Sequence, residues 1–241
     1  ARLYCSEATK ELARIILKDA SHRFLDVPNV PPLYRPEDVD NALKHFIEPP
    51  SDGTNIFPFP KRGWIKLLNS GHILGGKMAW IELDGVKILF TGDIGGNSQL
   101  STKPIISPLE IQTPDILIIE STNGYGRDEL LYCRDIQERI LFETLDNVLM
   151  KGDSLLLPSY TLGRAQEMLA IVARHSSLNP GLVYDIVIDG LAALATRVWE
   201  GLRFQHETPK IFLDLIKKIQ TKLIRGDESN GDREEFIQEQ I

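Results

Sequence analysis

The dipeptide Asp84-Gly85 separates two strand-like runs, Lys77 to Leu83 and Val86 to Thr91. Asp-Gly supplies the two-residue turn that favours a hairpin, so this spacing predicts an antiparallel ribbon. Trp64 to Leu68 precedes it as a third strand-like run, and three antiparallel strands are expected. The chain opens strand to helix: Arg2 to Cys5 reads as a short strand, and Ser6 as the N-cap of a helix carrying Leu12, Ile15 and Ile16 on one side. Pro36 opens a second helix whose Val39, Ala42, Leu43, Phe46 and Ile47 follow the i, i+3, i+4, i+7, i+8 stripe. Pro49 to Gly63, broken by prolines and glycines, reads as a loop.

After an irregular Ser- and Pro-containing stretch from Ser98 to Pro114, the run Asp115 to Glu120 reads as a buried strand and Asp135 to Met150 as a helix. Ser154 to Leu157, Gly163 to His175, Val183 to Ile188 and Leu191 to Phe204 then alternate strand and helix in the manner of parallel α/β units. A last helix is expected with Thr208 as N-cap, Pro209 at its first position, the stripe Phe212, Leu215, Ile216, Ile219 and Leu223, and Gly226 as its stop. The change of pattern predicts a domain boundary near Gly124 to Asp128, giving units of residues 1–124 and 125–241.

Composition narrows the class. The 241 residues are 42% hydrophobic and 25% charged, enough for real cores, and no apolar run reaches the length of a membrane span. The N-terminus lacks the layout of a secretory signal, and Cys5 and Cys133 are too few and too distant for a disulfide framework or a zinc knuckle. A soluble, cytoplasmic protein with free thiols and no membrane partner is expected. The net charge of -7 is local: six acids against Arg233 fall between residues 227 and 241, leaving a nearly neutral body.

Three polar clusters end apolar strands, where sites are built: Asn69-Ser70-Gly71-His72-Ile73-Leu74-Gly75-Gly76, Thr91-Gly92-Asp93, and Glu120-Ser121-Thr122-Asn123-Gly124. Their glycines let backbone approach a ligand closely and leave the side chains unobstructed. Taken singly, His72 reads as an ordinary loop histidine as readily as a ligand. Asp93 alone reads as a turn cap and Glu120 as a strand end.

In combination they are more specific. His72-x-x-Gly75, a hairpin ending in Thr91-Gly92-Asp93, and a strand ending in Glu120-Ser121-Thr122 are followed by Leu157-Pro158-Ser159-Tyr160-Thr161-Leu162-Gly163-Arg164-Ala165-Gln166-Glu167 and by Ile188-Asp189-Gly190-Leu191. This series resembles the β-CASP branch of the metallo-β-lactamase-fold nucleases, from about Arg2 to about Glu200. It is similar to the RNA-processing enzymes related to RNase J and to the nuclease of the cleavage and polyadenylation factor.

The resemblance implies an α/β chain: part of a metallo-β-lactamase αββα sandwich over residues 1–124, followed by part of an α/β β-CASP domain over 125–241. It implies that His72 is a zinc ligand, that Asp93 bridges two zinc ions and serves catalysis, and that Glu120 opens the β-CASP insertion and orients a later histidine. Two zinc ions would support hydrolysis of RNA phosphodiesters, with RNA held between the two domains.

One departure weighs against completeness. The family's His-x-His-x-Asp-His motif is absent, and the chain's five histidines, His22, His45, His72, His175 and His206, include no cluster that could form it. His72 and Asp93 cannot satisfy two ions when catalytic zinc takes about three protein ligands each. The chain therefore reads as the middle of a nuclease cut at both ends. The rival readings are a non-catalytic subunit serving as scaffold or RNA-binding partner and, less well supported, a lactonase- or thioesterase-like hydrolase. A sandwich lacking its first strands would leave edges open, from which self-association into a homo-oligomer is expected.

Among other residues, Arg164 at a helix start is a candidate phosphate contact, weighed against packing or an ion pair. His22, His45, His175 and His206 read as surface or capping residues, and Cys133 as a small buried hydrophobe.

Overall fold

In the computed structural model Asp84 and Gly85 take φ of 51° and 84°, the doubly positive turn their sequence calls for. The turn joins β5 (Lys77–Leu83) to β6 (Val86–Phe90), with Leu83 opposite Val86. The structure describes residues 2–25, 31–49, 56–59, 62–96, 99–106, 112–122, 124, 133–201, 206–219 and 223–226. Two units are distinguished: Ala1–Glu120 with Arg197–Pro209, and Ser121–Thr196 with Lys210–Ile241.

In the first unit β4 (Gly63–Asn69) pairs with β5 along its whole length, from Gly63 opposite Leu83 to Asn69 opposite Lys77. Period-two alternation sends Met78 and Trp80 of β5 to one face, with Leu68 opposite Met78 and Leu89 opposite Trp80. Those four side chains form a buried core flanked by Trp64, Ile94, Ile105 and Ile106. The sheet extends to β3 (Ile56–Phe59) beside β4 and to β7 (Ile116–Ile118), parallel to β6, in the order β3-β4-β5-β6-β7.

β3 lies inside the stretch expected to be a loop. It is an edge strand with a register shift between Ile56 and Phe59, the setting in which Pro58 costs no interior ladder bond. β7 corrects a second expectation: Ile116, Leu117, Ile118 and Ile119 are 46–55% exposed rather than buried. The strand is at the sheet's other edge, and side chains on both of its faces stay about half exposed.

β1 (Leu3–Tyr4) leads into α1 (Glu7–Leu25), whose start is capped as expected, the Ser6 hydroxyl accepting the Thr9 N–H at 3.1 Å. α1 packs against α2 (Pro36–Leu43), joining Ala8 and Leu12 to Val39 and Leu43 among the buried residues. The helical stripe stops at Leu43. Phe46 and Ile47 form β2 (Phe46–Ile47) instead, parallel to β1, because the Leu3 and Cys5 N–H groups take the carbonyls of His45 and Ile47. Toward the end of this unit Trp199 is fully buried, and its indole N–H donates to the Ser101 carbonyl at 2.8 Å.

The second unit holds α3 (Arg134–Leu149), α4 (Arg164–Leu178), β8 (Ile186–Asp189), the start of α5 (Leu191–Glu200), α6 (Lys210–Ile219) and β9 (Leu223–Gly226). α4 packs on α6, which buries Phe212, Leu215, Ile216 and Ile219. Leu223 to Gly226 does not continue that helix: β9 pairs in parallel with β8, Ile186 opposite Leu223. The helix begins at Lys210, and the Thr208 hydroxyl donates to the Trp199 carbonyl at 3.1 Å. Residues 154–157 form no strand, and Leu156 is 85% exposed. The acidic stretch 227–241 and most of the expected boundary at 124–128 lie outside the described residues.

Candidate metal and phosphodiester site

β4 and β6 are both antiparallel to β5, and β7 is parallel to β6, so the C-terminal ends of β4, β6 and β7 share one end of the sheet. Each of the three polar clusters follows one of these ends. The topology thereby brings the His72, Asp93 and Glu120 loops together although 48 positions separate the first from the last. The His72 Nε2 lies 3.9 Å from the Asp93 Oδ2, with the two side chains 35% and 72% exposed.

The loops are locked to one another through backbone. Gly95 N–H donates to the Ser70 carbonyl at 3.0 Å, and Gln99 Nε2 donates to the Gly71 carbonyl at 3.1 Å. A β-carbon at residue 95 would lie 1.9 Å from the Gly71 oxygen, so only glycine admits this approach. Gly71 itself has φ of 71°, and a side chain there would meet the Ile105 backbone at 2.5 Å. The fully buried Ser70 hydroxyl accepts the His72 N–H at 3.4 Å.

Behind the loop, the hydroxyls of Ser6 and Thr9 converge on the Gly75 carbonyl at 3.1 and 2.9 Å. The start of α1 therefore steadies the histidine loop from beneath. Glu120 is joined to the same assembly: its Oε1 accepts the Ile94 N–H at 2.7 Å, immediately after Asp93.

His72 and Asp93 stand close enough to serve as two donors of one divalent ion. A catalytic zinc takes a third protein ligand. Among the described residues, no third His, Cys, Asp or Glu joins these two; the group of three that does occur is Glu48, His206 and Glu207. The residues present thus fit part of a metal site. When bound, a divalent metal would supply Lewis acidity toward a phosphate oxygen there.

Arg164 is exposed at the first position of α4, in the second unit. That helix start is held by Gln166, fully buried, whose Oε1 accepts the Gly163 N–H at 2.8 Å and whose amide nitrogen lies 3.1 Å from the Thr196 hydroxyl. The signal was available in the sequence, since a Gln three residues after a cap is the usual reciprocal partner.

Two features of the second unit went unread. His175, expected at the surface, is fully buried, with Nε2 3.0 Å from Asp146 and Nδ1 2.8 Å from the Tyr184 hydroxyl, and it packs edge-on against Phe142. Burial pushes the Tyr184 hydroxyl's pKa up. Arg134 and Arg174 bracket the buried carboxylates of Glu138 and Glu167, Arg134 pairing with both and Arg174 with Glu138. Cys133 occupies the N-cap position of α3 and is only half-buried, which corrects its reading as a core residue.

The α/β fold with this triple strand-end constellation defines a class. The chain belongs to the β-CASP branch of the metallo-β-lactamase-fold proteins. It is 32% identical over 205 residues to the RNase J-like protein of Methanocaldococcus jannaschii, covering 82% of this chain and 44% of that protein. Transcription termination factor FttA of the same organism is 30% identical over 233 residues, covering 92% of this chain and 33% of the factor. Cleavage and polyadenylation specificity factor 73 of Drosophila melanogaster is 35% identical over 128 residues, 53% of this chain and 18% of that factor. The chain thus spans less than half the length of these relatives. No family model matches it.

Proposed function

We propose that the full-length protein hydrolyses RNA phosphodiester bonds with bound zinc, and that this chain supplies His72 and Asp93 as metal ligands and Glu120 as a positioning residue. The observation carrying this reading is the placement of all three at one end of the sheet, with His72 and Asp93 3.9 Å apart and both open to solvent. The names of the relatives, an RNase J-like protein and a cleavage and polyadenylation specificity factor among them, support RNA as the substrate class. Residues 1–124 are assigned to a metallo-β-lactamase domain and 125–241 to a β-CASP domain. No helix among the described residues is long and apolar enough to cross a membrane.

This chain's own residues hold and position. Glu120 fixes the backbone that follows Asp93 by accepting the Ile94 N–H, and so sets the direction in which the Asp93 carboxylate faces. Ser70 and the Gly71–Gly95 approach do the same for His72. Arg164 is the proposed phosphate contact from the second unit, where the guanidinium is exposed beside the first turn of a helix.

A second reading, a non-catalytic RNA-binding scaffold, is favoured by the two-donor metal set alone. End-labelled RNA incubated with the full-length protein separates them. Cleavage that a chelator stops and added zinc restores supports the hydrolase. RNA retention without cleavage at any zinc concentration supports the scaffold.

A further inference from the structure

The first unit carries a second constellation with metal-ligand chemistry. Glu48 follows β2, and His206 and Glu207 lie together in the turn before α6. One donor atom from each of the three falls within 4.8 Å of the other two, His206 Nε2 being 3.7 Å from Glu207 Oε1.

Glu207 is the informative member. Its side chain is only 11% exposed, and its Oε2 is buried without a hydrogen-bond partner among the described residues. Buried carboxylate oxygens are otherwise paired, because an unsatisfied acceptor forfeits its hydration with nothing in return. The Oε1 atom is already engaged, 3.9 Å from the Lys77 ammonium and close to His206. Lys77 is itself held by Asn69 Oδ1 at 2.8 Å, and it stands 3.9 Å from Oε1, so it leaves Oε2 unpaired.

From these observations we infer that Glu48, His206 and Glu207 form a site for a borderline divalent transition metal, zinc or cobalt, in addition to any metal held by His72 and Asp93. The donor set selects the metal: one imidazole with carboxylates suits zinc and its neighbours, whereas calcium and magnesium take oxygen alone. Tetrahedral ligands at about 2.1 Å stand roughly 3.4 Å from one another. The present donor separations, up to 4.8 Å, are longer than that, so binding requires the exposed side chains of Glu48 and His206 to turn toward the mostly buried Glu207. Three protein donors leave the solvent-facing position open to water.

The test uses zinc chloride alone on this chain carrying His72→Ala and Asp93→Asn, so that binding there reports the second constellation. Titration calorimetry should find one zinc per chain, and His206→Ala or Glu48→Gln should each weaken it at least about tenfold, with unchanged circular dichroism. In the parent, zinc should slow diethyl pyrocarbonate modification of His206 relative to exposed His22 and His45. Absence of zinc binding, binding indifferent to both variants, or equal protection of all three histidines would overturn the site. None of these outcomes bears on the role given to His72 and Asp93.

Discussion

His72 leaves 35% of its side chain open to solvent beside a mostly exposed Asp93, whereas His175 in the second unit is wholly buried with a partner on each ring nitrogen. The contrast extends to their neighbours. Around His72 the backbone is fixed by glycine contacts and by Ser70, while the imidazole and the Asp93 carboxylate face outward. Around His175 the side chains themselves are consumed, in Asp146 and Tyr184, and along the same two helices in the Arg134–Glu138–Glu167–Arg174 network. A polar group that stabilises a fold has its hydrogen bonds filled from within. One poised for a ligand has its backbone held and its donor atoms left to the ligand.

Substitutions at the two histidines should therefore separate activity from stability. In the full-length protein, His72→Ala or Asp93→Asn should lower RNA cleavage by at least about a hundredfold, since removing a metal ligand costs no less than removing a partner behind one. The urea midpoint should barely move. A parent cleavage rate in either variant would break the comparison on its catalytic side.

His175→Ala should do the reverse. It strips partners from Asp146 and Tyr184 and opens space against Phe142, and should destabilise the second unit by about 2–4 kcal/mol in urea unfolding. Cleavage per folded molecule should stay unchanged. A smaller effect of the same kind is expected for Gln166→Leu, about 1–3 kcal/mol, because the Gly163 N–H loses its acceptor and the Thr196 hydroxyl its donor.

The apolar β7 edge gives a concentration-dependent effect. Its half-exposed Leu117 and Ile118 should drive self-association of this chain, and Leu117→Lys should shift sedimentation toward the monomer. The smallest effect concerns Cys5. Burial, helped by Glu7, pushes its thiol from 9.0 up to about 11, so the fold favours the neutral thiol. That contribution is intact below pH 9 and is lost as pH rises from 9 toward 11, because the unfolded chain releases the proton first. Cys5→Ala should flatten the alkaline decline in thermal stability, and an unchanged decline would place its cause elsewhere.

What the sequence disclosed follows from the range of the interactions involved. The Asp84-Gly85 turn is local chemistry, and it fixes β5 and β6 in register, whereas the third strand end joins the others only because β7 pairs in parallel with β6. Ser6 was legible as a cap because its partner, the Thr9 N–H, lies three residues away. Phe46 and Ile47 continue a helical stripe perfectly well in isolation. What makes them a strand is β1, more than 40 positions earlier, which no local periodicity encodes. Leu223 similarly extends the stripe of α6 until β8 claims it. His175 lies on a helix face that the sequence describes only as mixed, and its burial depends on Asp146 and Tyr184, brought in from α3 and from the segment before β8.

The central claim is that His72 and Asp93 bind one metal ion together. Anomalous diffraction at the zinc edge, from crystals of the full-length protein grown with zinc, addresses it directly. The account requires a peak within about 2.1 Å of both the His72 Nε2 and an Asp93 carboxylate oxygen. A protein that cleaves RNA while those two atoms have no metal between them would contradict it.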